Sequence, residues 1–424
     1  VKLNSFIPAF LTMAALAACG PSQPTPKAIA GAASVRFVKF DVGLPTSGQW
    51  REGFRIADMN EDGHPDIVSG PARKQAGNPV IFLGDGKGSW ALWKEARFPV
   101  LPYDYGDVEI ADFNRDAHQD IALAMHLHGL IVLTGDGHGG FSNASAGLDF
   151  DVRDASSFSS RAIRVRDWNG DGLPDLVAVW EGLGTGSWRP LADHEGVVVY
   201  LNQGAKGWRK SERPLSKGIY SDSIALGDFD GDGHIDVATG SGVMDRKDLV
   251  SLWRANGAGL PLELPGAHQF VQAVAAGDFD NDGRDDLAVA YQFVDNDVWN
   301  SAIDVFYSRA GGKWERHPLF HEATREGAVA MATGHLVGKS TRDLVALTTR
   351  GETLVFLGDG HGGLVRNSIP LPVFGEGCRG AHVELADLDG DGRDEIIAAF
   401  ADEPAVDRCP SGGGITAWKA VVNR

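Results

Sequence analysis

Residues 228–238 run DFDGDGHIDVA. Carboxylates stand at the first, third, fifth and ninth positions, glycine stands at the sixth, and small or β-branched residues follow at once. Calcium is a hard cation that takes six to eight oxygens at about 2.3–2.6 Å. Four side-chain oxygens at this spacing, with the backbone carbonyl of the seventh residue, supply most of such a shell, and the glycine permits the turn that gathers them. The string recurs from Asp58 (DMNEDGHPDIV), Asp112 (DFNRDAHQDIA), Asp167 (DWNGDGLPDLV), Asp278 (DFDNDGRDDLA) and Asp387 (DLDGDGRDEII), and a degenerate copy starts at His335 (HLVGKSTRDLV). Successive starts lie 54, 55, 61, 50, 57 and 52 residues apart.

An EF-hand loop opens with the same letters, but it needs a glutamate at its twelfth position and flanking helices. Here the ninth position leads straight into Ile, Leu or Val, which reads as a strand, and paired helical copies of the dockerin kind are absent too. After a variable segment each unit offers another apolar run that ends in a Gly-rich turn, as in VIFLGDGKGSW (80–90), LIVLTGDGHGGF (130–141), VVVYLNQGAKGW (197–208) and LVFLGDGHGGL (354–364). Asp-Gly between apolar runs signals a hairpin. Seven units of this size without helical periodicity predict an all-β fold, a seven-bladed β-propeller of four-stranded antiparallel blades. The last unit runs out of chain after a third strand near Ile415–Ala420, while an unclaimed strand, Val35-Arg-Phe-Val-Lys-Phe, precedes the first loop. Pairing the N-terminal strand with the C-terminal blade would close the ring and remove both open edges.

These units resemble the FG-GAP and VCBS repeats of the integrin α-subunit propeller and of many exported bacterial proteins, over roughly residues 34–422. The resemblance implies a calcium-binding propeller. It does not imply a ligand, because the same fold carries lectins, adhesins and polysaccharide lyases.

The expected calcium ligands of the first loop are Asp58, Asn60, Asp62, Asp66 and the carbonyl of His64. Those of the second are Asp112, Asn114, Asp116, Asp120 and the His118 carbonyl, and of the third Asp167, Asn169, Asp171, Asp175 and the Leu173 carbonyl. The fourth offers Asp228, Asp230, Asp232, Asp236 and the His234 carbonyl, the fifth Asp278, Asp280, Asp282, Asp286 and the Arg284 carbonyl, and the seventh Asp387, Asp389, Asp391, Glu395 and the Arg393 carbonyl. Up to six ions are expected, and magnesium, which demands a stricter octahedron, fits less well. Ala117 replaces the second loop's glycine and should strain its turn. His335, Val337 and Lys339 replace three ligands of the sixth loop, which should be empty, with the Lys339 ammonium in place of an ion. The imidazoles of His64, His118 and His234 are expected to face water.

The formal net charge is −18, and 21 of the 57 acidic residues stand at ligand positions of the six intact loops, where they would repel one another without a cation. So acidic a chain argues against a nucleic-acid partner. No run of 18 apolar residues is present. Lys2, the apolar stretch Phe6–Ala18 and the run Leu16-Ala17-Ala18-Cys19 resemble a bacterial lipoprotein signal peptide. That resemblance implies cleavage before Cys19, acylation there and a membrane anchor. The membrane would be the outer one where a cell has two, because Gly20 rather than Asp follows. Val1 then reads as a non-ATG start. Residues 1–18 are expected as signal peptide, 19–33 as a flexible tether and 34–424 as the propeller. Cys378 and Cys409 remain, and in an oxidising compartment they should pair.

If the metal loops join the first and second strands of each blade, the second-to-third and fourth-to-first connections lie on the other face. The residues singled out there for binding are Arg73 and Lys74, Tyr103 and Tyr105, His126 and His128, Trp180, Arg189 and His194, and Tyr291 and Trp299. Rings mixed with carboxylates and planar polar groups suit a glycan or protein ligand. The alternative is a calcium-dependent polysaccharide lyase, which would need a His and a Tyr as base and acid beside a basic residue. No G-x-S-x-G, HExxH, P-loop or dinucleotide motif is present.

Overall fold

The computed structural model describes residues 34–51, 53–70, 78–101, 106–126, 128–150, 158–181, 194–240, 250–253, 259–402 and 409–421. Contacts divide the chain into Val1–Ala33 and Ser34–Arg424, and the strands belong to the second unit. They form seven four-stranded sheets, each antiparallel throughout. The first blade is β2 (Phe54–Ala57), β3 (Asp66–Ser69), β4 (Val80–Gly84) and β5 (Trp90–Leu92), hydrogen-bonded in that order. Its second strand is buried along its whole length, while the fourth exposes two of its three residues.

The second strands are near-continuous apolar runs because both faces of each sheet are covered by neighbouring blades. Phe113, Trp180, Tyr200 and Trp208 fill one gap between adjacent blades, and Leu347, Phe400 and Trp418 fill another. The metal-type loops join first to second strands, so they share one face with the Gly-rich third-to-fourth turns.

The ring closes as expected. β1 (Arg36–Lys39) pairs antiparallel with β28 (Gly413–Val421), Arg36 opposite Val421 and Lys39 opposite Trp418. It completes the last blade beside β26 (Arg379–Ala386) and β27 (Glu395–Ala401). Val35 N–H donates to Asn367 Oδ1 at 3.0 Å and Asn367 Nδ2 donates back to the Val35 carbonyl at 2.8 Å, so the entering chain is also tied to blade six.

Cys378 and Cys409 form the expected disulfide, which joins the entrance of blade seven to its second-to-third connection. A disulfide suits an extracytoplasmic, oxidising compartment. Among the described residues no helix is long and apolar enough to cross a membrane.

Blade five departs from the expectation of a long polar connection around Tyr291 and Trp299. β19 (Asp286–Asp295) runs directly into β20 (Val298–Arg309) through Asn296 and Asp297, at φ +48° and +62°. Two left-handed central residues match the twist of a tight hairpin, and Asn and Asp tolerate that conformation better than other side chains.

Candidate metal centres and the axial site

The ninth-position carboxylate organises each loop. In blades one, two, three, five and six, one oxygen accepts the N–H of the loop's second residue (Met59, Phe113, Trp168, Phe279 and Leu336) at 2.7–3.0 Å. The other accepts an N–H at the end of the third strand (Gly84, Gly135, Asn202, Ser308 and Gly358) at 2.7–2.9 Å. Glu395 keeps the first of these bonds, from Leu388 at 2.8 Å. Burial pushes these carboxyls up, to about 6 for Asp66, Asp120, Asp175 and Asp343 and to about 7 for Asp286 and Glu395. Asp343 makes both bonds in the loop that has lost its other carboxylates, so this brace between loop and third strand does not depend on an ion.

Positions one, three and five form a second layer. Asp58 accepts the N–H groups of Asp62 at 3.1 Å and Gly63 at 2.8 Å, and Asp62 accepts that of His64 at 2.9 Å. In the first three loops the third residue is Asn, and Asn60, Asn114 and Asn169 donate Nδ2 to Asp62, Asp116 and Asp171. In loops four, five and seven it is Asp, and carboxylates converge there. Asp228, Asp230 and Asp236 form one group, Asp278, Asp280 and Asp282 a second, and Asp387, Asp389 and Glu395 a third, each with ligand oxygens within 4.8 Å of one another. Among the described residues these three groups could hold a cation. Asp280 Oδ1 and Asp387 Oδ1 are buried without a hydrogen-bond partner, which is the deficit a cation would satisfy.

Two of the groups already meet a basic side chain. Arg309 donates to Asp280 at 2.6 Å, and Arg284 pairs with Asp282. Lys419 reaches Asp389, stands 2.8 Å from Asp391 and lies 3.8 Å from Glu395. The six loops are therefore not equivalent. Lys339 of the sixth loop reaches the next one: its Cε and Nζ lie 2.8 and 3.1 Å from where a Cβ on Gly392 would stand.

The loops also bond to one another. Ala117 has φ +73°, the strained left-handed turn expected of it. The fourth position is left-handed as well, in Glu61, Arg115 and Asn281 and in Gly170, Gly231 and Gly390. From there Glu61 pairs with the His118 imidazole, Arg115 donates to the Asp171 carbonyl at 3.2 Å, and Asn281 donates to the Ser340 carbonyl at 3.2 Å. Each bond crosses to the next loop. His118 is therefore engaged rather than simply solvated, and the hydrogen bond it donates to the Glu61 carboxylate raises its pKa. Asp285 and Asp394, at the eighth position, accept the N–H groups of Asp228 and His335 in the preceding loop at 3.0 and 2.6 Å.

On the opposite face several expected binding residues prove to be packed. Trp180 is 4% exposed and stacks on His194, itself buried, with ring centroids 4.3 Å apart. Tyr291 is 1% exposed and donates its hydroxyl to Asp304 at 2.8 Å. Trp299 is half-buried beneath the Arg325 guanidinium. These rings cover core or their own strands, and Trp180, His194 and Tyr291 offer no open stacking platform. His126 Nδ1 lies 2.5 Å from Glu181 Oε2, and His128 ends a tight turn from Met125. Arg73, Lys74, Tyr103, Tyr105, Arg189 and Cys19 lie outside the described residues.

The axis carries a feature absent from the expectations. Arg55 of blade one donates to Glu109 of blade two and to Glu384 of blade seven, each at 2.5 Å. Arg164 of blade three donates to Asp107 at 2.7 Å and approaches Glu109 at 3.3 Å. Burial works against the Arg55 charge, yet Glu109, Glu384 and Asp107 hold its pKa above the ordinary value. The signal was present in the repeat. Three residues before each loop the chain reads Arg55, Glu109, Arg164, Ala225, Ala275, Ala332 and Glu384. The register thus places alternating charges on one arc of the axis and alanines on the other.

A closed ring of seven four-stranded blades, with acidic Asp/Gly loops on one face, defines a repeat propeller whose loops could hold cations. Residues 58–123 and 167–239 match the FG-GAP-like repeat and residues 270–306 the FG-GAP repeat, so these parts of the propeller are similar to FG-GAP-type repeats. Two solved structures of BBS1N in complex with ARL6DN, one soaked with mercury and one with lead, are similar at TM-scores of 0.51 and 0.52. Each is 12% identical and covers 90% of this chain, and the match spans 96% and 95% of the respective BBS1N chains. That likeness concerns the fold alone. No curated protein matches the chain.

Proposed function

We propose that the chain is an exported, calcium-braced binding module. Acyl groups on Cys19 hold it at a membrane, the outer one where a cell has two, and it presents the face opposite its metal loops to a glycan or protein ligand. The observation that carries this reading is the unequal use of the two faces. The axis opens on both sides, but on one the mouth lies among loops that bond to one another, Gly227 and Asp285 at its lip, whereas on the other an arginine-lined cavity to which every blade contributes lies clear of those loops. Connections held on a rigid scaffold are where binding usually resides.

Calcium would be held first by Asp228, Asp230 and Asp236 with the fifth- and seventh-loop groups, and by the Asn-bearing loops as weaker sites. Its charge would offset carboxylate repulsion and brace loop to loop. EGTA is expected to lower the melting temperature of the full mature chain and calcium to restore it, since an ion at 100 times its dissociation constant adds about 2.7 kcal/mol. Screening the chain on glycan and envelope-protein arrays tests the module reading. Absence of any ligand, together with rising ultraviolet absorbance on uronate polysaccharide, would replace it with the lyase. Incorporation of labelled palmitate that Cys19→Ser abolishes tests the anchor.

A further inference from the structure

We infer that the axial cavity on the face opposite the metal loops binds a carboxylate carried on a short aliphatic body. The inference rests on the binding-module reading and names what that face takes. The cavity measures about 190 Å³. Arg51, Arg161, Arg164 and Arg379, from blades one, three and seven, line one side, and Val274, Val329 and Met331, from blades five and six, line the other. Asp107, Asp222 and Asp402 line it too, so four guanidinium groups face three carboxylates along its wall in a protein of net charge −18.

The internal pairs prepare the site rather than fill it. Arg164 is fixed on Asp107 at 2.7 Å and approaches Glu109 at 3.3 Å, and Arg161 is held between Asp222 at 2.7 Å and Glu181 at 3.2 Å. Each guanidinium has five N–H donors, and Asp107 and Glu109 meet Arg164 through Nη1 alone, so its other nitrogens still have donors for a further carboxylate. The opposite wall is aliphatic, and no Phe, Tyr or Trp lines the cavity among the described residues; its one ring there, His382, is packed edge-on against Phe54, so a pyranose would find no broad stacking platform. The volume falls below the ~300–1,000 Å³ of sites for drug-sized ligands, which limits the occupant to one small group. Guanidinium groups on one side and aliphatic carbons on the other fit a branched-chain organic acid, whether free or as the last residue of a protein, where carboxylate capture is a known recognition mode.

N-acetyl-leucine serves as the probe, titrated calorimetrically into the full mature chain. One site per chain is expected, with N-acetyl-leucinamide weaker by about tenfold or more. Gln272 lies on the neutral side of the cavity. Gln272→Glu is expected to weaken N-acetyl-leucine by about tenfold or more through repulsion and competition for the arginines, with an unchanged melting temperature, while Gln272→Met binds as wild type does. Isovalerate and a peptide ending in leucine separate the sources: a tighter peptide points to a protein terminus, and equal binding points to a free acid. Equal affinity for acid and amide, an unaffected Gln272→Glu variant, or no saturation at millimolar probe overturns the inference. A chain that binds array glycans yet ignores N-acetyl-leucine sinks this inference and leaves the module reading standing.

Discussion

Asp343 is fully buried in a loop without acidic first, third or fifth residues, and its two oxygens accept N–H groups from Leu336 and Gly358 at 2.7 and 2.8 Å. Asp343→Ala leaves both donors unsatisfied, and the expected loss is about 1–3 kcal/mol for each, read as a lower denaturation midpoint. Burial raises this carboxyl from 3.8 to about 6. Between those values the folded protein keeps a proton that the unfolded chain has released, so this residue's contribution to stability falls as pH rises through the window. Stability of Asp343→Asn, followed by urea unfolding across that range, is expected to fall less steeply than that of wild type, and parallel curves would exclude the linkage. Ala117, at φ +73°, poses the reverse case. A left-handed non-glycine residue costs about 1–2 kcal/mol, so Ala117→Gly is expected to raise the unfolding free energy by about 1 kcal/mol.

Loops and hairpins were legible in the sequence to different degrees. A cation-type loop must place oxygens at fixed offsets, so its letters repeat and the seven first-to-second connections stand out, as do the Asp-Gly turns. The left-handed fourth position was encoded in Gly170, Gly231 and Gly390, with Asn281 as a further hint. The β19–β20 hairpin was hidden because Gln292 and Asp295 look like loop residues until their cross-strand partners, Ser301 and Val298, are known. Pairing of that kind is not local, and neither is the burial of Tyr291, whose partner Asp304 lies on the next strand. The disulfide belongs to this scale too. It closes a separation of 31 residues at the entrance to the last blade. Replacing both Cys378 and Cys409 by Ala is expected to cost about 3–4 kcal/mol by the chain-entropy model, checked as a drop in melting temperature that reduction of wild type reproduces.

The whole ring depends on four residues at the N-terminal edge of the propeller. Val35 and Phe37 bury their side chains in the cluster between blades six and seven, and β1 covers the edge of β28. Removing residues 35–40 is expected to leave that edge open and to cause concentration-dependent association, seen by light scattering, with a lower melting temperature. A truncated protein that stays monomeric and equally stable would show that closure contributes little. The charged arc from Glu384 through Arg55 and Glu109 to Arg164 links the same terminal blade to the first three across the axis. A polypeptide is made from its amino end, so β1 exists long before the residues from 413 to 421 that receive it. Six blades can form as they emerge, but the circle is completed only once residues 413–421 have been made. Until then the first strand must be shielded from every other exposed edge, which makes its capture the last committed step of assembly and the stage at which a holding chaperone would act.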